Sequence, residues 1–197
     1  MTIQSIAGTG ALRVGAQMIY KFWDKKPTIY FSEQTWPNHD TIFLDAGLTE
    51  HKRYPYYDVA TRKLKFEGMI ETMREAEPGS VFVLQAICHN PTGVDPTKEQ
   101  WQEIINVMKE KEHFPYIDFT YNGWATGNFE QDAYVVRMFA AANLQHVVGQ
   151  SFSKNAGMYG ERIGGLHFFC ASPEAAQKVY QNTRYGKNNG LTECDLE

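Results

Sequence analysis

The chain has 197 residues, 43% of them hydrophobic, which is enough to build one large domain with a sizeable core. Its formal net charge of −4 is mild and its basic residues are scattered, so we expect no nucleic-acid surface. No apolar run is long enough to span a bilayer, and the first residues lack the features of a signal peptide. We therefore expect a soluble intracellular protein with neither nucleic acid nor membrane as a partner.

The three cysteines, Cys88, Cys170 and Cys194, follow or end apolar segments and show no CxxC spacing. This pattern is typical of reduced, buried thiols rather than of disulfides or zinc ligands. The sequence therefore predicts neither a disulfide framework nor a metal site.

A glycine-rich turn at residues 7–13 follows a short apolar segment at the start of the chain. Leu12, Ala16 and Ile19 then recur at helical spacing, so the glycines precede or begin a helix, whose free N–H groups favour an anion. The dinucleotide fingerprint needs Gly or Ala where Arg13 stands, and a Walker loop needs Gly-Lys-Ser/Thr, so both matches fail. A plain strand-to-helix turn and a site for a single phosphate stay open as alternatives.

Further along the chain, apolar runs of strand length alternate with apolar residues at helical spacing. The runs predict strands at 28–31, 81–84, 115–119, 147–149 and 166–170. The helical spacing predicts helices at 66–73, at 101–108 after a Thr97/Gln100 capping box, around Ala133, Val136 and Ala140, and from Pro173. Strands that alternate with helices pair mostly in parallel, so we expect an α/β fold with a mostly parallel sheet covered by helices on both faces.

Polar residues follow several of these predicted strands, namely Asn90, Asp118, Tyr121, Ser151 and Lys154. Because ligands bind outside the carboxyl ends of parallel strands, we expect these side chains to converge. A lysine amine in a desolvated cleft can attack an aldehyde to form a Schiff base. Taken singly, however, each residue has an ordinary explanation, and the commonest one for Lys154 is a solvated surface charge.

Three motifs together resemble one family. They are Gly-Thr-Gly-Ala-Leu-Arg at 8–13, His-Asn-Pro-Thr-Gly at 89–93, and Ser-Phe-Ser-Lys-Asn at 151–155 with Tyr-Gly-Glu-Arg-Ile-Gly at 159–164. In this order they are similar to the aspartate aminotransferases, class I enzymes of fold type I that depend on pyridoxal 5′-phosphate (PLP). The resemblance implies a partial PLP-binding large domain at residues 1–180, with the small domain absent and a divergent tail at 181–197.

The resemblance implies a role for each converging residue. Lys154 would form the Schiff base with PLP and move the proton between substrate and cofactor. Asp118 would pair with the protonated pyridine nitrogen, with His39 supporting it from behind. Asn90 and Tyr121 would hydrogen-bond the phenolic oxygen of the cofactor. Of these, Lys154, Asp118 and Tyr121 are expected to be catalytic.

The remaining part of the implied site consists of residues that bind the cofactor's phosphate and a side chain that stacks on its ring. Trp36 would stack on the ring, although a tryptophan in such a loop is more often core packing. Ala7 departs from the family, where a serine or glycine commonly precedes the Gly-Thr pair, so one hydrogen bond is expected to be missing. The phosphate would be held by Gly8, Thr9, Ser151 and Arg162.

The implied reaction is transamination, in which L-aspartate and 2-oxoglutarate give oxaloacetate and L-glutamate. The implied partners are these amino acid and 2-oxo acid substrates and, in the full-length form, a second copy of the chain. Family members are longer, and the arginine that binds the substrate α-carboxylate belongs to the part this sequence lacks. The arginine for the distal carboxylate would come from the partner subunit, and Arg184 and Lys187 stand in a stretch unlike the family. A cytoplasmic location is expected, with a mitochondrial parent as the alternative.

Three other interpretations of the sequence stay open. The first is a truncated, inactive product that binds PLP or pairs with a full-length subunit. The second is another fold type I PLP enzyme, a decarboxylase or lyase, since the lysine, the aspartate and the phosphate cup are shared across that fold type. A nucleotide-binding module is the third, and the failed fingerprints weigh against it.

Overall fold

The computed structural model describes the backbone of residues 1–188 and the side chains of residues 1–183. Cys194, the side chains of Arg184 and Lys187, and most of the predicted tail lie outside the described residues. The strands are β1 (Thr2–Ile6), β2 (Ile29–Ser32), β3 (His51–Tyr54), β4 (Tyr57–Asp58), β5 (Lys63–Leu64), β6 (Val81–Gln85), β7 (Phe114–Phe119), β8 (His146–Ser151) and β9 (Ile163–Phe169). The helices are α1 (Ala7–Phe22), α2 (Asn38–Asp45), α3 (Phe66–Glu75), α4 (Lys98–Glu110), α5 (Phe129–Asp132), α6 (Tyr134–Ala141) and α7 (Pro173–Asn188).

Seven strands form one sheet in the order β1-β9-β8-β7-β6-β2-β3, and β4 pairs with β5 in a separate hairpin. The five strands from β8 to β3 are parallel, whereas β9 is antiparallel to both β8 and β1. The prediction of a mostly parallel α/β sheet is confirmed. The connection between β8 and β9 contains no helix to carry the chain back across the sheet, so these two strands run in opposite directions.

Helices cover both faces of the sheet, as expected. Successive side chains of β6 point to opposite faces, so Phe82 and Leu84 belong to one hydrophobic cluster and Val81 and Val83 to another. The first cluster includes residues of α3, α4 and α6, and the second includes residues of α1 and α2. All five residues of β6 are buried, which is typical of a parallel strand packed on both sides.

Two local predictions are refined by the structure. The predicted capping box is present, because the Thr97 side chain accepts from the backbone N–H of Gln100 and the Gln100 side chain accepts from that of Thr97. The helix expected around Ala133, Val136 and Ala140 exists, but its fully buried residues are Val135 and Phe139. Phe139 packs edge-to-face on Trp101 of α4, with ring centroids 6.0 Å apart.

Helix α1 packs directly on β7 at Gly15. The Tyr116 hydroxyl donates to the backbone carbonyl of Ala11 over 2.9 Å. A Cβ atom built on Gly15 would lie 2.0 Å from that hydroxyl oxygen, so only glycine permits this approach. The contact ties the start of α1 to a strand of the sheet centre.

The two cysteines within the described residues, Cys88 and Cys170, are free thiols, as predicted, but they are half-buried rather than buried. Burial, followed by the nearby charge of Asp95, raises the pKa of the Cys88 thiol, so it stays protonated at neutral pH. Among the helices that the structure describes, none is both long and apolar enough to cross a bilayer.

Candidate functional site

A cavity of about 230 Å³ lies at the carboxyl ends of β6, β7 and β8, beside the start of α1. His39 lies behind it, against Asp118. The structure brings the other nine predicted site residues together around this cavity, while the roles assigned to them stay predictions. These nine are Gly8, Thr9, Trp36, Asn90, Asp118, Tyr121, Ser151, Lys154 and Arg162.

Asp118 is a buried carboxylate at one end of the cavity, and its side chain is only 9% exposed. The fully buried Nε2 atom of His39 lies 3.1 Å from Asp118 Oδ2. An ionised carboxylate can only accept, so His39 Nε2 carries the hydrogen and donates it. The other ring nitrogen, Nδ1, lies 2.7 Å from the Thr35 hydroxyl, and these two bonds fix the orientation of the imidazole.

The second oxygen of Asp118 also has a donor. Thr120, which lines the cavity, donates its hydroxyl hydrogen to Asp118 Oδ1 over 2.6 Å. Trp36 stands edge-on to His39, with ring centroids 5.4 Å apart and planes at 89°. Trp36 therefore packs partly on the core and partly lines the cavity, so core packing and ring stacking both fit its position.

The start of α1 also lines the cavity, and this helix has no side chain capping its N-terminus and no acidic residue in its first turn. The N–H groups of an uncapped first turn are free to bind an anion, and the helix dipole favours negative charge there. Ala7 holds a left-handed φ of 52°, and its N–H donates to the Arg162 carbonyl over 2.9 Å. Gly8 packs so tightly that a Cβ would lie 3.0 Å from the Ser151 Cβ, so backbone alone faces the cavity here.

Two cations face this cavity from the turn between β8 and β9. Nη1 of Arg162 donates to the Tyr159 carbonyl over 2.9 Å and to the Ser153 hydroxyl over 3.4 Å. Nζ of Lys154 lies 4.5 Å from the ring centroid of Tyr159 and 5.9 Å from that of Tyr121, within the range of cation–π attraction. Among residues 1–183, whose side chains are described, neither cation pairs with a carboxylate, so both are available to an anionic or electrophilic ligand.

The loop that carries Asn90 is held by Gln85, the last residue of β6. The Gln85 side chain accepts from the Asn90 N–H over 2.8 Å and donates to the Asn90 carbonyl over 2.9 Å. These two bonds fix the backbone of Asn90 at the cavity wall. The side chain of Asn90 thereby keeps its amide for a ligand.

His89, next to Asn90, supports the loop from inside the protein. Its ring stacks on Tyr56 with centroids 3.8 Å apart, and its nitrogens lie 3.0 Å from the Ser32 hydroxyl and 2.9 Å from the Thr92 hydroxyl. Burial, and then the nearby ring of His39, lowers the pKa of His89 to about 3. His89 is therefore neutral at physiological pH and serves as a fixed hydrogen-bonding strut.

The sequence patterns did not single out several residues that also line the cavity: Gln85, Thr120, Ser153 and Tyr159. Gln85 is a polar residue at the end of an apolar run, the same signal that identified Asp118. Thr120 lies two positions after Asp118, and residues two apart in extended chain point to the same side. Tyr159 belongs to a motif quoted for the resemblance, but only the structure shows its ring beside Lys154.

Comparison with known proteins agrees with this geometry. The sequence profile of the family described as "Aminotransferase class I and II" matches residues 1–185. Mitochondrial aspartate aminotransferase of Schizosaccharomyces pombe is 46% identical over 184 residues, which cover 93% of this chain and 42% of that protein. Relatives described as cytoplasmic aspartate aminotransferases match as well.

Solved structures are similar over almost the whole chain. Aspartate aminotransferase from Trypanosoma cruzi superposes with a TM-score of 0.93 at 38% identity, covering 95% of this chain and 48% of that one. An aromatic-amino-acid aminotransferase from Burkholderia pseudomallei, described as covalently bound to pyridoxal phosphate, superposes with a TM-score of 0.90 at 41% identity, covering 96% and 47%. The chain thus spans less than half the length of each of these proteins. By its sequence profile, its relatives and its fold, the chain belongs to the class I and II aminotransferases, and it has the fold type I architecture of the PLP-dependent members.

Proposed function

We propose that this chain is the PLP-binding part of an aspartate aminotransferase, comprising most of the large domain. The observation that carries the proposal is the convergence of Lys154, Asp118 and Arg162 on one cavity with the uncapped start of α1. A nucleophilic amine, a buried carboxylate and an anion site are the three features that PLP requires. The Burkholderia relative described as bound to pyridoxal phosphate supports the choice of cofactor.

The residues present fit this cofactor. Gly8 leaves a cradle that a Cβ would fill, Ser151 adds a hydroxyl and Arg162 adds a guanidinium without a carboxylate partner, so this end of the cavity suits a phosphate. Asp118, held by His39, suits a protonated ring nitrogen. Asn90 and Tyr121 supply polar groups that would suit the phenolic oxygen, and Trp36 supplies a ring to stack upon.

When bound, PLP supplies an aldehyde that a primary amine can attack and a ring that accepts electron density. Lys154 would hold the cofactor covalently. Its amine would serve as the general base that takes the proton from the substrate Cα and as the general acid that returns it. Asp118 would keep the ring nitrogen protonated, and Tyr121 would donate a hydrogen bond to the phenolic oxygen.

The substrates in this proposal are L-aspartate and 2-oxoglutarate, which give oxaloacetate and L-glutamate in a ping-pong sequence. The named aspartate aminotransferases among the relatives support this choice, and the aromatic-amino-acid enzyme supports aromatic substrates as a second candidate. A cytoplasmic location, with a mitochondrial parent as the alternative, is part of the proposal because relatives of both kinds are named.

Substrate binding calls for cations beyond those at the cofactor. Among the described residues that line the cavity, the positive charges are Lys154 and Arg162, and the proposal uses both of them for PLP. The arginines that bind substrate carboxylates are therefore assigned to the remainder of a full-length protein and to the partner subunit of a homodimer. The same observation favours a second candidate function for the chain by itself, a PLP-binding fragment without turnover.

The domain boundaries belong to the proposal as well, with residues 1–180 forming the partial large domain and 181–197 a divergent tail. Helix α7 continues through residue 180 to Asn188, and the family profile extends to residue 185. The tail then begins within a helix rather than in a linker.

The deciding experiment is titration of the purified chain with PLP, followed by borohydride reduction and peptide mass mapping. We expect the cofactor to be fixed on the peptide that contains Lys154. Lys154→Ala should abolish the fixation, whereas Lys98→Ala should not, although Lys98 also lies over an aromatic ring, 5.4 Å from the centroid of Tyr134. Labelling that survives Lys154→Ala would exclude Lys154 as the anchor.

A single-turnover reaction of the loaded chain with aspartate then separates the candidates. Oxaloacetate formation supports aspartate transamination, and faster reaction with phenylalanine or tyrosine supports the aromatic class. Release of CO₂ or ammonia without amino transfer would point to a decarboxylase or lyase instead. Cofactor fixation with no reaction at any aspartate concentration supports the fragment that binds without turnover.

A further inference from the structure

Thr120 makes the shortest hydrogen bond to Asp118. Its Oγ1 lies 2.6 Å from Asp118 Oδ1, a length typical of an O–H donor on a charged acceptor. An ionised carboxylate has no hydrogen to give, so the threonine hydroxyl is the donor. Asp118 lies near the end of β7 and Thr120 directly follows that strand, and both line the cavity.

The other oxygen of Asp118, Oδ2, accepts from His39 over 3.1 Å. Among the side chains that the structure describes, each carboxylate oxygen thus has one donor. The Cβ–Cγ torsion of an aspartate is soft, and one donor alone leaves the carboxylate free to rotate about it. Donors on both oxygens fix that rotation while leaving further lone pairs for a ligand, since a carboxylate offers about four acceptor positions.

We propose that Thr120 is a positioning residue, whose hydroxyl fixes the rotation of the Asp118 carboxylate so that it presents a free lone pair to the ring nitrogen of the cofactor. The inference rests on the proposed function, because it takes the ring nitrogen of PLP as the ligand of Asp118. The inference goes beyond that function because it assigns the orientation of the Asp118 carboxylate to Thr120, a residue that the proposed function does not use.

A purely steric role for Thr120 has a different consequence. Its Oγ1 lies 3.5 Å from the position of a Cβ on Gly8, so the side chain also fills space beside the start of α1. If Thr120 acted only by filling this space, its substitution would lower the affinity for every ligand of the same shape equally. If it acts through Asp118, the loss of affinity depends on whether the ligand has a ring nitrogen.

The test compares the complete 197-residue chain with its Thr120→Val and Thr120→Ser variants. Each is titrated with PLP and with 1-deazapyridoxal 5′-phosphate, an analogue of the same shape in which C–H replaces the ring nitrogen. The readout is the dissociation constant from absorbance and tryptophan fluorescence, with no turnover involved. Thr120→Val should raise the dissociation constant of PLP about tenfold, which corresponds to the loss of one hydrogen bond to a charged group. It should raise the dissociation constant of the analogue less than twofold. Thr120→Ser keeps the hydroxyl and should bind both ligands within about twofold of the unsubstituted chain.

Each other outcome overturns the inference in a recognisable way. Equal weakening of both ligands by a folded Thr120→Val chain means that Thr120 acts by packing. Weakening by Thr120→Ser as large as by Thr120→Val means that the hydroxyl is not the active feature. Should Thr120→Val not fold, Thr120→Ala provides the same comparison.

The inference and the proposed function fail separately. If PLP is fixed on Lys154 but Thr120→Val binds PLP as tightly as the unsubstituted chain, only the role of Thr120 is lost. If the unsubstituted chain binds neither aldehyde and borohydride fixes nothing on Lys154, the proposed function fails and the role of Thr120 falls with it.

Discussion

A Cβ atom placed on Gly8 would lie 3.0 Å from the Cβ of Ser151, so the first turn of α1 and the end of β8 touch without room for another side chain. The contact sets a row of free backbone N–H groups beside a hydroxyl that faces the same cavity. The proposed anion site is therefore built from main chain that approaches a strand end, with Arg162 supplying the full positive charge.

Gly8→Ala should weaken binding of PLP, and of inorganic phosphate as its competitor, about tenfold, because the new methyl group pushes α1 and β8 apart. Gly160→Ala is the matched control, since Gly160 lies in the turn beside the site and a Cβ there would meet nothing within 4 Å. The measurement is a fluorescence titration of both variants. Equal affinity of Gly8→Ala and the unsubstituted chain would show that phosphate does not bind at this helix start.

Arg162→Lys should also weaken phosphate binding, by about tenfold, since lysine keeps the charge but loses the planar pair of donors. Arg62→Lys is a close control, because Arg62 is likewise exposed and has a φ of 56° against 51° for Arg162. Isothermal titration with inorganic phosphate at two salt concentrations measures the effect. An Arg162→Lys chain that binds phosphate normally would place the anion elsewhere.

Gly164→Ala should lower the free energy of unfolding by about 1–3 kcal/mol, the usual cost of overpacking. A Cβ on Gly164 would lie 2.3 Å from the carbonyl oxygen of Ala7, which is main chain and cannot swing aside. Gly149→Ala, in the neighbouring strand β8, is the control, because its Cβ would meet Ala11 at an ordinary 3.5 Å. Urea unfolding of the two variants decides the matter, and equal stability would contradict the described packing.

Lowering the pH from 7 to 5 should destabilise the protein, partly through His89. The pKa of His89 is lowered to about 3 in the folded state, below its ordinary value of 6.5, chiefly by burial. Between pH 3 and pH 6.5 the unfolded chain binds a proton on His89 that the folded chain does not bind. The contribution of neutral His89 to the free energy of unfolding is therefore fully present above pH 6.5 and is lost as the pH drops below that value. The pKa of half-buried Asp95 is raised, chiefly by desolvation, so its contribution to stability has the opposite sign and offsets part of this loss near the acid end.

Substitution of His89 by glutamine removes this titration. The dependence of the unfolding free energy on pH between 5 and 6 should become shallower by about 1 kcal/mol per pH unit. His113 and His146, whose pKa values burial also lowers, keep the remaining slope in both proteins. A slope that His89→Gln leaves unchanged would mean that His89 is already protonated in the folded state.

The fold and most of the candidate site follow from the sequence because both depend on local signals. Asp118 and Lys154 come after apolar runs, and parallel strands end at one edge, so their convergence needs no knowledge of tertiary contacts. The three motifs then identify the family, which the profile and the relatives confirm.

The parts that the sequence did not predict depend on contacts between distant segments. Strand β9 is antiparallel to β8 because the connection between them contains no helix. The motif at residues 159–164, which lies in that connection, does not indicate the direction of the strand that follows. Thr120 has no motif of its own, and its role appears only when its hydroxyl is found 2.6 Å from Asp118. Phe139 rather than Ala140 is buried in α6, and its ring packs on Trp101 of α4, a contact between segments distant in the sequence.

The close approach of Gly15 to Tyr116 links two walls of the candidate site. Tyr116 lies two residues before Asp118 on β7, and its hydroxyl grips the carbonyl of Ala11 near the start of α1. Asp118 on β7 and the first turn of α1 both line the cavity, so a bond inside the hydrophobic core joins the two elements that carry them. The arrangement of the cavity therefore depends on a glycine and a tyrosine that do not line it.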